Sequence, residues 1–242
     1  IHLGSMSESI RTVLRENAGK MKPGDVFVVN APYNGGTHLP DVTVITPIFD
    51  DAGDDILFFV ASRGHHADIG GITPGSMPPD SKVVEEEGIL FDNFMLVDGG
   101  KFLEDKLRKH LADHPYPARN PDHNIADLKA QIAAGAKGVQ EVHKMIDQFG
   151  LDVVHAYMRH VQDNAEEQVR RVIDVMQDGE FTYPTDEGAE IKVKISFNKE
   201  KRSATVDFTG TSNQRPSNYN APSAVARSAV LYVFRCLVDD KI

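Results

Sequence analysis

The chain has 242 residues, of which 40% are hydrophobic and 26% charged, and its formal net charge is −10. This length suits one large domain or two small ones, and the absence of an apolar run of about 18 residues predicts no membrane span. The excess of negative charge argues against nucleic acid or an anionic membrane as a partner. A single cysteine, Cys236, excludes a disulfide within the chain; we expect a buried thiol and a reducing, cytoplasmic compartment.

The first part of the chain, residues 1–115, is rich in strand and turn signals. Residues 27–29, 42–45 and 56–61 are β-branched or aromatic in most positions, which is typical of strands. Glycine and proline recur between them and mark turns. We therefore predict a strand-rich region whose loops connect short, buried strands.

Residues 116–180 carry a helical pattern. Gly150 divides it and predicts the end of the first helix. Apolar residues recur at steps of three and four in both halves: Ile125, Leu128, Ile132, Val139, Val142, Ile146 and Phe149, then Val154, Met158, Val161, Ala165, Val169, Val172 and Met176. So short a connection predicts an antiparallel helical hairpin.

Residues 181–242 return to strands. Residues 191–197 and 203–208 alternate apolar and polar side chains and predict a β-hairpin, and residues 224–237 predict a helix. The fold class is therefore α+β. The chain begins without an initiator methionine, so we expect one incomplete structural unit of a larger protein.

Two Gly-rich loops carry the side chains best suited to chemistry. The first holds His38 and Asp41, three positions apart with Pro40 between them, and the second holds His65 and Asp68 at the same spacing. Each loop adjoins an apolar strand, and loops at the ends of neighbouring strands can converge. We therefore expect the two loops to form one site.

Imidazole and carboxylate together suit a divalent ion such as Zn²⁺, Mn²⁺ or Fe²⁺. Two histidines and one carboxylate would leave coordination positions open for water or substrate, which is the catalytic arrangement. The alternative is that these histidines only form hydrogen bonds in turns. His66 should point away from its neighbour and serve a structural role. A Gly-x-x-x-x-Gly-Lys-Ser/Thr phosphate loop is absent from the sequence.

The residues of these motifs and their order along the chain resemble those of the hydantoinase B/oxoprolinase family, and in places those of its ATP-hydrolysing 5-oxoprolinases. The resemblance covers nearly the whole chain and is carried by residues 30–42, 63–71, 74–78, 119–134, 150–154, 207–212 and 231–235. Family members extend beyond both ends, so the chain is expected to be a middle section of the B portion.

The resemblance implies a division of labour. An A-type ATPase portion or subunit would use ATP and Mg²⁺, and the B portion would hold a metal and act on the activated substrate. The two-histidine, one-aspartate set of acetone carboxylases corresponds to His38, Asp41 and His65. Asp68 is expected to orient a histidine or act as a base. Arg63 could bind a substrate carboxylate or form a structural ion pair.

The expected reaction is ATP-dependent opening of the 5-oxoproline lactam to glutamate, so the substrate would be a small cyclic amide. Rival activities on the same scaffold are N-methylhydantoin hydrolysis and carboxylation of a small ketone. A rival of another class is a non-catalytic module that docks an A portion. We expect a homo- or hetero-oligomer in either case.

Overall fold

The computed structural model describes residues 2–238, which form two compact units. The first comprises residues 2–144 and 215–228, and the second comprises residues 145–214 and 229–238. The boundary at residue 144 falls within the long helix Pro121–Phe149. The boundaries predicted from the sequence, at residues 115 and 180, instead follow changes in the local pattern of apolar residues. Within residues 2–238, no helix combines the length and the apolar character needed to cross a membrane.

A five-stranded antiparallel sheet forms the centre of the first unit. Its strands, in the order β3-β2-β1-β4-β5, are β1 (Val26–Val29), β2 (Asp41–Phe49), β3 (Ile56–His65), β4 (Phe94–Asp98) and β5 (Lys101–Phe102). The three predicted strands are confirmed, and all three are longer than predicted, the first by a single residue. The last two strands of the sheet were not predicted.

Helices cover both faces of this sheet. On one face, Val13 of α1 (Ser5–Glu16) packs with Phe27 and Ile45. On the other face, Val28 and Val44 pack with α3 (Glu104–Ala112) and α4 (Pro121–Phe149), while α2 (Val84–Glu87) is a single turn. Burial on both faces explains why the strand residues of β1 are apolar without alternation.

Close backbone contact shapes the loop before β2. A 3₁₀ turn, Pro32–Asn34, leads into two glycines. A Cβ on Gly35, whose φ is 91°, would lie 2.4 Å from the backbone nitrogen of Ser9, and one on Gly36 would lie 1.9 Å from the carbonyl oxygen of Asn30. The Gly-Gly pair therefore lets this loop lie against α1 and bring the following His38 into place.

The second unit contains the predicted hairpin. Strands β7 (Glu190–Asn198) and β8 (Ser203–Asp207) pair antiparallel as expected, and β6 (Gly179–Pro184) adds an unpredicted third strand. Helix α5 (Leu151–Val175) buries Val172 and Ile173 at its C-terminal end. The apolar face of the strands, which carries Phe181 and Tyr183, remains largely exposed at the β6 side.

The predicted helices are confirmed, with one correction. Gly150, with φ 84°, ends α4 and begins α5 at the predicted position. The last helix, α6 (Ser223–Cys236), also lies where it was predicted. Cys236, however, is exposed rather than buried, because it occupies the final position of α6.

Candidate metal centre

The two His-x-x-Asp loops do meet, and the register of one hairpin explains why. Asp41 is the first residue of β2 and His65 is the last residue of β3, and the two are directly paired across the antiparallel ladder. The start of one strand always faces the end of its antiparallel partner. Residues 24 positions apart therefore come into side-chain contact.

Asp41 lies at the centre of the candidate site. Its side chain is only 5% exposed, and its Oδ1 lies 2.8 Å from Nδ1 of His65. Its Oδ2 lies 3.5 Å from Nδ1 of His38 and accepts a hydrogen bond from Oγ1 of Thr37 at 3.2 Å. The structure thus brings together the three predicted ligands His38, Asp41 and His65.

A third histidine, His2, was missed by the sequence analysis. Its Nδ1 lies 3.6 Å from Oδ2 of Asp41 and 3.0 Å from Oγ1 of Thr37. Its ring approaches that of His38 edge-on, with centroids 5.9 Å apart. His2 is 36 residues from His38 in sequence and follows no strand, so only its position before α1 could have drawn attention to it.

The chemistry of these donors fits a divalent ion. Two donors on one ion, bound at the usual ~2.1 Å, lie roughly 3.0–3.4 Å apart, whereas the three nitrogen–oxygen separations here, all to Asp41, are 2.8, 3.5 and 3.6 Å. As placed, however, the side chains of residues 2–238 form no group of three or more His, Cys, Asp or Glu that could hold a metal ion. The direct hydrogen bond from His65 to Asp41 would have to give way, so metal loading requires the imidazoles to adjust.

The lowered pKa of His38 favours metal binding. Burial is the largest influence and lowers the pKa of His38 below its ordinary value, while the charge of Asp41 opposes that shift. A lowered pKa keeps the imidazole neutral at neutral pH, and only the neutral form has a lone pair for a metal.

Arg63 lies on β3 beside the site, on the side facing α1. Its Nε donates to Oγ1 of Thr43 at 2.7 Å, and its two terminal nitrogens donate to Oγ of Ser5 and, at 3.2 Å, to Oγ of Ser9. Burial lowers the pKa of Arg63, and the negative charge of Asp41 opposes this. These contacts bind α1 to the sheet through hydroxyl groups, in place of the structural ion pair considered from the sequence.

His66 points into the interior, as expected for a structural residue. It is 2% exposed, and its Nε2 lies 3.2 Å from Oε1 of Gln131, while its Nδ1 lies 3.1 Å from Nδ2 of Asn124. Both partners belong to α4. Its backbone N–H donates to the carbonyl of Pro40, between His38 and Asp41. His66 therefore joins the two loops of the site to the helix behind them.

The surroundings of His66 determine its tautomer. The amide nitrogen of Gln131 donates to the carbonyls of Val42 and Ser62, so its oxygen must accept from His66 Nε2–H. The amide nitrogen of Asn124 donates to the carbonyl of Asp68, so Nδ1 of His66 must accept. Burial lowers the pKa of His66, which agrees with this neutral form.

Asp68 does not contact the histidines of the site in the way that a base or an orienting carboxylate would. Its carboxylate forms a salt bridge with Arg119 at 2.8 Å and accepts hydrogen bonds from the backbone N–H groups of Arg119 and Gly70. These contacts hold the loop after β3 against the segment before α4. Although both motifs have the same His-x-x-Asp spacing, Asp68 does not occupy a position like that of Asp41. The reason is that β3 ends at His65 and the chain then turns away from the site.

Comparison with known proteins agrees with the sequence resemblance. The family model for hydantoinase B/oxoprolinase matches residues 1–242. The 5-oxoprolinase of Dictyostelium discoideum is 43% identical over 251 residues, covering 100% of this chain and 19% of that protein. The chain therefore spans about a fifth of the length of this relative.

Two solved structures share the fold. The ATP-dependent caprolactamase of Pseudomonas jessenii superposes with a TM-score of 0.83 at 24% identity, covering 100% of this chain and 42% of that one. A nucleotide-free acetone carboxylase gives a TM-score of 0.82 at 18% identity, covering 98% and 33%. At these identities the likeness concerns the fold alone. The match of the family model over residues 1–242 shows that this chain belongs to the hydantoinase B/oxoprolinase family.

Proposed function

We propose that the chain is the metal-bearing part of an ATP-dependent 5-oxoprolinase and assists hydrolysis of the 5-oxoproline lactam to glutamate. The observation that carries this proposal is the buried Asp41 carboxylate, which faces the imidazoles of His38 and His65 in a chain 43% identical to a 5-oxoprolinase. Family membership supports the general class of chemistry. The substrate and the metal are part of the proposal.

The chemical problem is the stability of the amide in a small ring. Phosphoryl transfer to the amide oxygen, in an ATPase portion that uses ATP and Mg²⁺, would make the ring carbon open to attack. Addition of water at that carbon, cleavage of the ring C–N bond and release of inorganic phosphate would then give glutamate with its free amine. A divalent ion supplies polarisation of an oxygen and a lower pKa for water.

The residues of this chain would perform three tasks. His38, Asp41 and His65 would hold the Zn²⁺, Mn²⁺ or Fe²⁺ ion. Arg63 would place a half-buried positive charge beside the site, where it could attract the carboxylate of 5-oxoproline. Asp68, bound to Arg119, would keep the loop after His65 in place and would act on the reaction only through that loop.

Elemental analysis tests the metal part of this proposal. We expect about one Zn, Mn or Fe per chain in the purified protein, and its loss in His38→Ala and Asp41→Ala, because each removes a donor. His123→Ala, an exposed histidine on α4, is the matched control and should retain the metal. A metal-free protein after resupply with all three ions would contradict the proposal and favour the non-catalytic docking module.

The substrate is tested with an A-type ATPase portion present. We expect ADP formation coupled to glutamate release with 5-oxoproline, and neither with the His38→Ala chain. Coupled turnover of N-methylhydantoin, or of a ketone with bicarbonate, in place of 5-oxoproline would assign one of the rival activities instead.

A further inference from the structure

The three-stranded sheet of the second unit has an open edge. Among the strands of residues 2–238, β6 pairs only with β7, and every residue of β6 is exposed. Its apolar side chains, Phe181 at 65% and Tyr183 at 58%, continue onto Ile191 of β7, which is 44% exposed. We infer that this edge is an interface between two copies of the chain, in which β6 pairs with β6 of a second copy around a two-fold axis. The interface does not depend on the proposed metal site.

The backbone of β6 directs hydrogen-bonding groups away from β7. At the turn that follows β6, Thr185 donates its N–H to the carbonyl of Ala189 at 2.8 Å, in the same register as the β6–β7 ladder. Bonded and non-bonded pairs alternate along two antiparallel strands. Phe181 therefore directs its N–H and C=O groups toward β7, whereas Glu180 and Thr182 direct theirs outward.

The opposite side of β7 is completed by side chains where β8 has ended. Oγ1 of Thr211 accepts from the backbone N–H of Lys192 at 3.0 Å and donates to its carbonyl at 3.1 Å. The N–H of Glu190 donates to Oγ of Ser212, and its carbonyl accepts from the backbone N–H of Ser212, both at 2.9 Å. Within residues 2–238, the outward groups of β6 have no cover of this kind.

Strand β6 also lacks most of the features that keep edge strands apart. Edge strands in natural proteins commonly carry lysine, an interior proline or a bulge. β6 contains no lysine, its register with β7 is unbroken, and Pro184 lies at its last position, where the missing N–H would have pointed outward. An open edge with exposed aromatic side chains is a surface that accepts another strand.

One register lets two copies of β6 pair without opposing like charges. With Phe181 on the two-fold axis, the phenyl rings of the two copies lie side by side, and Tyr183 lies opposite Gly179 of the second copy. Glu180 then lies opposite Thr182 of the second copy, and these residues can exchange both of their N–H···O=C bonds because both direct their backbone groups outward.

The neighbouring register is less favourable. With Thr182 on the axis, Asp178 would lie opposite Asp186 of the second copy, and like charges directly opposite each other are destabilising. The charges beside β6 therefore favour the register in which Phe181 lies on the axis.

Electrostatics favour a second copy of the chain over a strongly charged partner. On the polar face of β6 and β7, Glu180 and Glu190 are matched by Lys192 and Lys194, and Nζ of Lys192 lies 3.4 Å from a carboxylate oxygen of Glu190. The chain carries a net charge of −10, but these four charges cancel, so two copies can approach here without repulsion. A partner recognised by charge would require an excess of one sign at this edge.

Sedimentation velocity over a wide range of protein concentration measures the pairing. We expect a reversible equilibrium between monomer and dimer. Phe181→Lys places two like charges opposite each other at the axis and should weaken the dimer at least about ten-fold. Thr182→Lys is the matched control, because it makes the same change of charge at the adjacent residue. Its lysine would face Glu180 of the second copy, so the dimer should be at least as stable as that of the unmodified protein.

Amide hydrogen exchange, followed residue by residue by NMR, tests the register. The N–H of Thr182 should become protected as the protein concentration rises, whereas that of Phe181, which faces β7, should be protected at every concentration. Thr182→Pro removes only an outward N–H, so it should weaken the dimer and leave the β6–β7 ladder intact.

A protein that remains monomeric at every concentration, or that associates only with a separately supplied ATPase portion, would refute the two-fold interface. A dimer that is unchanged by both Phe181→Lys and Thr182→Pro would refute it too, because β6 would then lie outside the contact. Thermal unfolding shows whether each variant is folded. The two substitutions act through different groups, so a loss of fold in one leaves the other decisive.

Discussion

Asp41 is the residue on which the candidate site depends. Its two carboxylate oxygens face His65 on one side and His38, His2 and Thr37 on the other. A buried carboxylate is unfavourable unless it is paired, so these contacts also offset the cost of burying Asp41. Three of the four titratable side chains clustered here were predicted from the sequence, and His2, which lies far from the others along the chain, was missed.

Glu87 shows a second effect of burial on a single side chain. It is half-buried at the end of α2, and burial is the main influence that raises the pKa of its carboxyl group. A hydrogen bond from Ser81, at 3.5 Å, opposes that shift. The ionised form of Glu87 is thus less favourable in the folded protein than in the unfolded chain.

The sign of the resulting pH dependence follows from linkage. Below the pKa of the unfolded chain, Glu87 is protonated in both states and carries no penalty. As the pH rises through the raised folded pKa, the unfolded chain has already lost its proton, so the folded state loses stability. We expect Glu87→Gln to raise Tm relative to the unmodified protein more at pH 7.5 than at pH 4.

Thermal unfolding at the two pH values measures this difference. Glu85→Gln, an exposed change on the same turn, controls for the loss of one negative charge. A gain for Glu87→Gln that is equal at both pH values, or no larger than that of Glu85→Gln, would contradict the prediction.

At the scale of elements, the site is built by one hairpin and one helix. The β2–β3 ladder places Asp41 opposite His65, and α4 supports the turn that follows. Close contact between them depends on small residues: a Cβ on Gly138 would lie 2.7 Å from the side chain of Val60, and one on Gly135 would lie 3.2 Å from that of Thr46. The two glycines allow α4 to approach the sheet closely.

Gln131 is the main polar link between α4 and this hairpin. It donates to the carbonyls of Val42 and Ser62 and accepts from His66. Gln131→Ala would leave the buried Nε2–H of His66 without an acceptor and open a cavity. We expect a loss of about 2–4 kcal/mol in the free energy of unfolding. In a chain of this size, Tm should fall by roughly 5–15 °C.

Denaturant unfolding of Gln131→Ala and of Gln140→Ala provides the comparison. Gln140 is an exposed residue of the same helix, and its replacement should change stability by no more than about 0.5 kcal/mol. Equal effects of the two substitutions would show that the link to the hairpin contributes nothing. Weaker Mn²⁺ binding by the refolded Gln131→Ala protein would show that this link also positions His65.

At the scale of the whole molecule, the candidate site belongs entirely to the first unit. His2, His38, Asp41 and His65 all lie within residues 2–144. The second unit, with its three-stranded sheet and exposed Phe181 and Tyr183, contains none of the proposed ligands. The chain spans about a fifth of the length of the Dictyostelium discoideum relative.

Metal loading should therefore stabilise the two units unequally. At a Mn²⁺ concentration of 100 times Kd, binding contributes about 2.7 kcal/mol to the folded state that holds the site. We expect slower hydrogen exchange at the start of β2 and the end of β3, and unchanged exchange in β6–β8. Exchange measured by mass spectrometry, with His38→Ala as the control, checks this. Equal protection in both units, or none in the first, would contradict it.

The sequence by itself determined the local elements and the chemical character of the site. Period-two and period-3.6 patterns depend only on neighbouring residues, so the first three strands, the break at Gly150 and the final helix could be predicted. Short pieces such as β5 could not, because tertiary packing stabilises them, whereas α1 was missed although its buried positions follow the helical period. The family likewise followed from motifs read in order along the chain.

Only the tertiary structure decided which of the candidate residues meet. His38, Asp41 and His65 converge because β2 and β3 pair in a particular register, and Asp68 is separated from them because the chain turns after His65 to reach Arg119. His2 joins them because α1 is docked through Ser5 and Ser9. Contacts between distant segments depend on the packing of whole elements, and the spacing of residues along the chain carries no record of that packing.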